Sequence, residues 1–201
     1  MLQVHERLFI ADEGSCRLGS AQLAVVHACK SPCHQRVLRY KGSLPPNHPN
    51  YLVLRHSYDL YLNIIDPPVP LFRIETFLSF LTFAAEHYDR GASLLIHCNQ
   101  GESRAPTLAL LFLSKHLRTI PDDSFGAAQA AFADLCPGYR PGKGIQQFLQ
   151  ENWGSILTES GVHPGAAPDG PLRVDAPRPQ VSAGPEARTW VRRNGARPKP
   201  E

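Results

Sequence analysis

Short apolar runs alternate with longer stretches of helical spacing over the first three quarters of this chain. Leu8-Phe9-Ile10-Ala11 predicts a short strand, and Ala24-Val25-Val26-His27-Ala28-Cys29 a buried one. Residues 30–50 are polar and carry prolines, which predicts a loop. Tyr51-Leu52-Val53-Leu54 and Leu60-Tyr61-Leu62-Asn63-Ile64-Ile65 predict two further strands, the second stopped by Asp66-Pro67-Pro68. Ile74, Phe77, Leu78, Leu81, Ala85 and Tyr88 recur at helical spacing, and Gly91 stops that helix. Ser93-Leu94-Leu95-Ile96 is the next strand. Residues 104–117, 124–135 and 145–153 read as helices, with Asp123 or Ser124 as a cap and Pro137-Gly138 as a break. Strands alternating with helices, then helices alone, predict an α/β fold: a small central sheet covered by helices on both faces.

The pattern fades near residue 161. Residues 161–201 hold eight of the 19 prolines and few large apolar side chains, too little surface to offset the entropy of ordering. The expected organisation is therefore a folded domain over 1–158 and a Pro/Gly/Arg-rich disordered tail over 159–201. Seven Lys+Arg against four Asp+Glu in residues 161–201 equal the whole formal excess of +3. That leaves the folded part without a basic bias and speaks against nucleic acid as a partner. Trp190-Val191-Arg192-Arg193 is a candidate docking patch within the basic C-terminal tail. No run of about eighteen apolar residues exists, so no membrane span is expected. The N-terminus lacks a basic segment followed by a long apolar run. With an odd set of five cysteines, this points to a reducing, cytoplasmic location.

The chemistry concentrates in Ile96-His97-Cys98-Asn99-Gln100-Gly101-Glu102-Ser103-Arg104-Ala105-Pro106. A predicted strand leads in and a predicted helix leads out. A short loop at a helix N-terminus turns several backbone N–H groups toward one point, where the dipole favours an anion. Asn99, Gln100, Gly101, Glu102, Ser103 and Arg104 would supply that phosphate cradle. Gly101 lets the chain curl, and Arg104 adds a bidentate grip on two oxygens. The same field is expected to favour the thiolate of Cys98, as thiols at helix N-termini near a cation can have pKa values lowered to roughly 3.5–7.5, and the thiolate is the nucleophile. His97 stands outside the cradle, a structural histidine or one that orients the loop by hydrogen bonding.

Cleaving a phosphate ester also needs a proton for the departing oxygen. Asp66 is the best donor, because it ends a strand and opens a loop, and sites in open α/β sheets gather at the C-terminal strand ends. A plain turn role before proline is the competing reading. Asp59, entering a strand, and Glu75, inside a helix, are weaker candidates.

His97-Cys98-Asn99-Gln100-Gly101-Glu102-Ser103-Arg104 resembles the signature loop of the cysteine-dependent dual-specificity protein phosphatases, in the protein tyrosine phosphatase superfamily. Asp66 lies 32 positions before Cys98, which looks like that family's offset for the general acid. The resemblance covers roughly residues 7 to 153. It implies a small mixed sheet flanked by helices, no metal, no cofactor, and two chemical steps. Cys98 would attack phosphorus while Arg104 and loop amides hold the oxygens, and Asp66 would protonate the leaving group and then activate water. Ser or Thr usually follows the arginine in this family, and here Ala105 does. Arg-Ala-Pro is similar to the phosphatase-of-regenerating-liver subgroup. Slow breakdown of the phosphocysteine is the expected consequence, with Ser103 as a candidate substitute hydroxyl.

The variable loop positions Asn99, Gln100 and Glu102 include no lysine. Glu102 would repel additional phosphates, which favours a phosphorylated protein substrate over a phosphoinositide or other non-protein phosphomonoester. A module that binds phosphate with slow or no turnover is the non-enzymatic alternative. Lys30, Arg36, Arg39 and Lys41 form an acid-free stretch, read as a solvated loop or as a cationic rim to the site. His27, Cys29, Cys33 and His34 cluster in sequence, but their spacing matches no common zinc framework, so no metal is expected there. A disulfide from Cys29 or Cys33 to Cys98 under oxidation is a further reading.

Overall fold

A computed structural model of the chain describes residues 1–18, 20 and 22–158, with the backbone alone at 157 and 158. The tail read as disordered, with its candidate docking patch, lies outside the described residues. Six strands form one sheet: β1 (Leu2–His5), β2 (Leu8–Ala11), β3 (Leu23–His27), β4 (Val53–Arg55), β5 (Asp59–Leu62) and β6 (Ser93–His97). Their order is β1-β2-β6-β3-β5-β4. The β2, β6, β3 and β5 pairings are parallel, and β1 and β4 add antiparallel edges, so the sheet is mixed. Parallel strands must be buried on both faces, which is why β3 and β6 read as continuous apolar runs.

The helices are α1 (Gln35–Leu38), α2 (Ile74–Asp89), α3 (Arg104–Phe112), α4 (Phe125–Leu135) and α5 (Lys143–Thr158). Ser124 caps α4 by accepting from the Ala127 N–H at 3.1 Å. The sheet's two faces are unequal. Leu8, Ile10, Ala24, Val26, Leu60, Leu62, Leu94 and Ile96 join the apolar stripes of α2 to α5 in one large core. On the opposite face Ala11, Val25 and Leu95 form a small cluster edged by Phe9 and Leu23. At the C-terminal end of that thinner face the row continues in polar side chains, His27 beside His97 in the β3–β6 register.

Several element boundaries depart from the sequence reading. The strand expected over 60–65 ends at Leu62, and the Ile64 carbonyl leaves the ladder to accept from the Lys30 N–H at 2.9 Å. The expected loop 30–50 opens with a wide helical turn, Lys30–His34, that runs into α1. Its buried anchors, Cys33 and His34, are polar enough to escape an apolar pattern. The β1 edge strand was not expected, since only Val4 in it is buried. No helix among the described residues is long and apolar enough to cross a membrane.

Candidate active site

Strand β6 lies between β2 and β3 and delivers Cys98 just past its C-terminal end. The Cys98 N–H donates to the Ala11 carbonyl at 3.3 Å, which extends the β2 pairing by one residue. Cys98 is 2% exposed, and its Sγ accepts a hydrogen bond from the Gly101 N–H at 3.2 Å. Gly101 has φ +73°, and a Cβ there would stand 3.1 Å from the Ala11 carbonyl carbon and oxygen. Both the conformation and the close approach require glycine.

The guanidinium of Arg104, the first residue of α3, is held from two sides. Nη2 donates to Asn99 Oδ1 at 2.7 Å and Nη1 to the Ile64 carbonyl at 3.2 Å. Nε is buried with no hydrogen-bond partner among the described residues, a donor left over in an otherwise paired group. Asn99 is fixed in turn: its Nδ2 donates to the Ser31 carbonyl at 2.9 Å and to Glu13 Oε2 at 3.3 Å, and its own carbonyl accepts from the Glu13 N–H. Gln100 and Glu102 have exposed side chains, which leaves only their backbone groups available to a cradle.

The outer wall is the segment before α5. The Arg140 N–H donates to the Glu102 carbonyl at 2.8 Å, and the Gly142 N–H donates to Ser103 Oγ at 2.9 Å. The Ser103 carbonyl accepts from the Thr107 N–H and hydroxyl, and the Thr107 hydroxyl meets the Tyr139 hydroxyl at 2.9 Å. Burial pushes the Tyr139 phenol up, so it stays neutral. Ser103 Oγ is thus engaged with the wall. Ala105 is fully buried.

Asp66 is exposed on the loop after β5, two residues beyond the Ile64 carbonyl that holds Arg104. Its carboxylate packs directly against Gly142, and the carbonyls of Pro67 and Val69 pack against Gly144; neither glycine has room for a Cβ. The structure therefore brings Asp66 to the same rim as Ser103 and Arg104. Asp59 is taken elsewhere, its Oδ1 lying 3.3 Å from His27 Nε2, and Glu75 is exposed in the first turn of α2. The acid-free basic stretch abuts the cradle at its start, through the Ser31–Asn99 bond, and leaves Arg36, Arg39 and Lys41 exposed.

Of the two readings of His97, the structure shows the structural one and not the loop-orienting one. The ring is fully buried on the thinner face, with Nε2 2.7 Å from His27 Nδ1 and no bond to the loop. Around this pair stand Cys16 and Cys33, whose sulfurs are 3.1 Å apart. Hydrogen bonding from Cys33, then from the two histidines, holds the Cys16 thiol well below its ordinary range. Cys33, facing the Cys16 and Cys29 sulfurs, is pushed up. His34, which the sequence grouped with His27 and Cys33, lies apart and bonds to the Tyr40 hydroxyl and the Asn50 carbonyl.

Sequence reasoning named Asn99 as a cradle residue but not as the holder of Arg104, and it missed Gly142 and Gly144. The pair of glycines in Pro141-Gly142-Lys143-Gly144, at the mouth of a helix, was the available signal for a close approach there.

No family model and no curated protein matches this chain. Solved structures do. Human DUSP28 matches with a TM-score of 0.53 at 17% identity, over 79% of this chain and 99% of that one. DUSP15 matches with a TM-score of 0.56 at 16% identity, over 79% and 90%. The human tyrosine phosphatase-like serine/threonine/tyrosine-interacting protein matches with a TM-score of 0.54 at 18% identity, over 77% and 96%. The likeness is one of fold: the chain adopts the fold of the dual-specificity phosphatases.

Proposed function

We propose that this chain is a cysteine-dependent phosphatase that hydrolyses phosphomonoesters on proteins. One observation supports it above the others: three separate segments converge on one rim. Arg104 Nη1 bonds to the carbonyl two residues before Asp66, and Asp66 packs on the glycine whose N–H holds Ser103 of the loop. Chance proximity of a Cys and an Arg in sequence would not recruit that third segment.

In the first step the Cys98 sulfur attacks phosphorus and the P–O ester bond breaks. The leaving oxygen takes the proton of the Asp66 carboxyl group, and a phosphocysteine results. Loop N–H groups and Arg104 hold the three phosphoryl oxygens, with the unpartnered Nε as one available donor. In the second step water attacks phosphorus, the Asp66 carboxylate accepts its proton, and the P–S bond breaks to return the thiolate and release phosphate. No step calls on a cofactor. Asn99 acts as a positioning residue, setting the plane of Arg104 through its Oδ1.

The exposed Glu102 at the lip disfavours a polyphosphorylated headgroup, and exposed Arg36, Arg39 and Lys41 beyond Ser31 suit an acidic phosphopeptide. The five free thiols fit a reducing cytoplasm. The test compares wild type, Cys98→Ser and Asp66→Asn on a phosphotyrosine peptide, a phosphoserine peptide and a phosphoinositide. Cys98→Ser should fall to background. Asp66→Asn should lower kcat about 10²–10⁴-fold on the peptides. Asp66→Asn should cost less on an aryl phosphate whose leaving group needs no proton. A wild type no faster than Cys98→Ser would make the chain a phosphate reader, and faster release from the phosphoinositide would move the substrate class.

A further inference from the structure

The reaction above leaves four side chains behind the cradle without a task. Cys16 follows the short turn Glu13–Ser15, Cys33 lies in the turn Lys30–His34, and His27 and His97 end β3 and β6. The two histidines are direct partners in the parallel ladder, so both rings emerge on the thinner face. One ligand atom from each of the four residues lies within 4.8 Å of every other. His97 Nε2 and His27 Nδ1 are 2.7 Å apart, the two sulfurs 3.1 Å, and Cys16 Sγ and His27 Nδ1 3.9 Å. His27, Cys33 and His97 are at most 2% exposed.

We propose that Cys16, His27, Cys33 and His97 form a structural zinc site. A tetrahedral zinc with bonds of about 2.3 Å to sulfur and about 2.0–2.1 Å to nitrogen needs ligand atoms roughly 3.3–3.8 Å apart. An ion at the centre would spread the close N–N and S–S pairs by roughly 0.6–0.7 Å to reach that spacing. Two thiolates balance the dication and both imidazoles stay neutral, so the ion with its four ligands carries no net charge. Binding releases the thiol protons to solvent, which the exposed edge beside Cys16 permits. Sulfur and imidazole donors with no carboxylate favour zinc over calcium or magnesium. His27 also has the outer partner such a ligand needs. Its Nε2 faces Asp59 Oδ1 at 3.3 Å, which leaves Nδ1 to present a lone pair to the cluster, and Tyr61 stacks flat on the ring at 4.1 Å. Four protein ligands close the coordination shell, so the ion is structural. It would stand in for the apolar core that this face lacks and would fix the strand end from which Cys98 departs.

The inference is independent of the phosphatase reading. The full chain, expressed with zinc supplied and desalted, should carry about one zinc per molecule by mass spectrometry of the metal. Cys16→Ser and Cys33→Ser should each lose it, while Cys98→Ser and Cys136→Ser keep it. Cobalt exchanged into the wild type should give the strong visible bands of a tetrahedral site with a thiolate charge-transfer band. Three results would overturn the proposal: wild type without stoichiometric metal, a cobalt spectrum lacking thiolate bands, or a Cys16–Cys33 disulfide found in peptide maps of the alkylated wild type.

Discussion

Ala105 occupies the first turn of α3 with a methyl group fully buried, one residue beyond the guanidinium. The Ser103 oxygen accepts the Gly142 N–H, which ties the hydroxyl to the outer wall and leaves its hydrogen free to donate. On the proposed mechanism, Ala105 leaves departure of the sulfur in the second step without a hydroxyl from the residue after the arginine. Rapid mixing with an aryl phosphate should show a burst of product followed by a slower steady state, and Ala105→Ser should raise the steady rate while leaving the burst rate unchanged. Equal steady rates would remove this account of Ala105. At the other end of the loop, Gly101→Ala meets both a positive φ and the Ala11 carbonyl. It should cost about 1–3 kcal/mol in denaturant unfolding and abolish turnover. Cys98, Gly101 and Arg104 were legible because the loop's chemistry is written in consecutive residues. The part played by Asn99 was not, because its partners Ser31 and Glu13 are 68 and 86 positions away.

Between β5 and α2, the acid loop has no regular hydrogen-bonded structure of its own to hold Asp66 in place. It is held by shape: the Asp66 carboxylate lies on Gly142, and the Pro67 and Val69 carbonyls lie on Gly144 at the start of α5. A methyl group at residue 144 must displace that loop, since what it would meet is backbone rather than a flexible side-chain end. Gly144→Ala should lower kcat on a phosphotyrosine peptide by an amount approaching Asp66→Asn, while the rate of Cys98 alkylation by iodoacetamide stays near wild type. Loss of both together would mean that the cradle itself had moved. Apolar spacing revealed α2 to α5 and the central strands because each buries an aliphatic or aromatic stripe. The turn Lys30–His34 was invisible to the same reasoning, because a thiol and an imidazole anchor it in place of leucines.

Across the whole molecule, buried histidines held neutral set much of how the fold meets acid. The large core is aliphatic and aromatic, with His87 set among its rings: Phe83 at 4.4 Å and Tyr58 at 5.0 Å. Burial, aided by the nearby Arg55 charge, lowers the His87 pKa. His34 is fully buried, and burial pushes it down to about 4. One of its ring nitrogens donates to the Asn50 carbonyl and the other accepts from the Tyr40 hydroxyl, which suits the neutral ring. A base whose folded pKa lies below its unfolded value of about 6.5 binds more protons when unfolded. Its stabilising contribution is complete above about pH 6.5 and is lost as the pH falls toward 4. Glu86, lowered by its bond to Arg55, adds its loss only where carboxylates protonate, below most of that window. His27, where burial lowers the pKa but Asp59 and Cys16 raise it above its ordinary value, pulls the other way, so urea midpoints of the full chain should fall between pH 7 and pH 4.5 by less than His34 and His87 alone would give. His34→Gln, with nothing to protonate at that position, should be less stable at pH 7 and show a shallower fall. Parallel pH profiles for the two proteins would show that His34 is not a source of the acid sensitivity. Because His34 adjoins Cys33, both profiles are measured with a chelator present, so that loss of a bound zinc does not enter the difference between them.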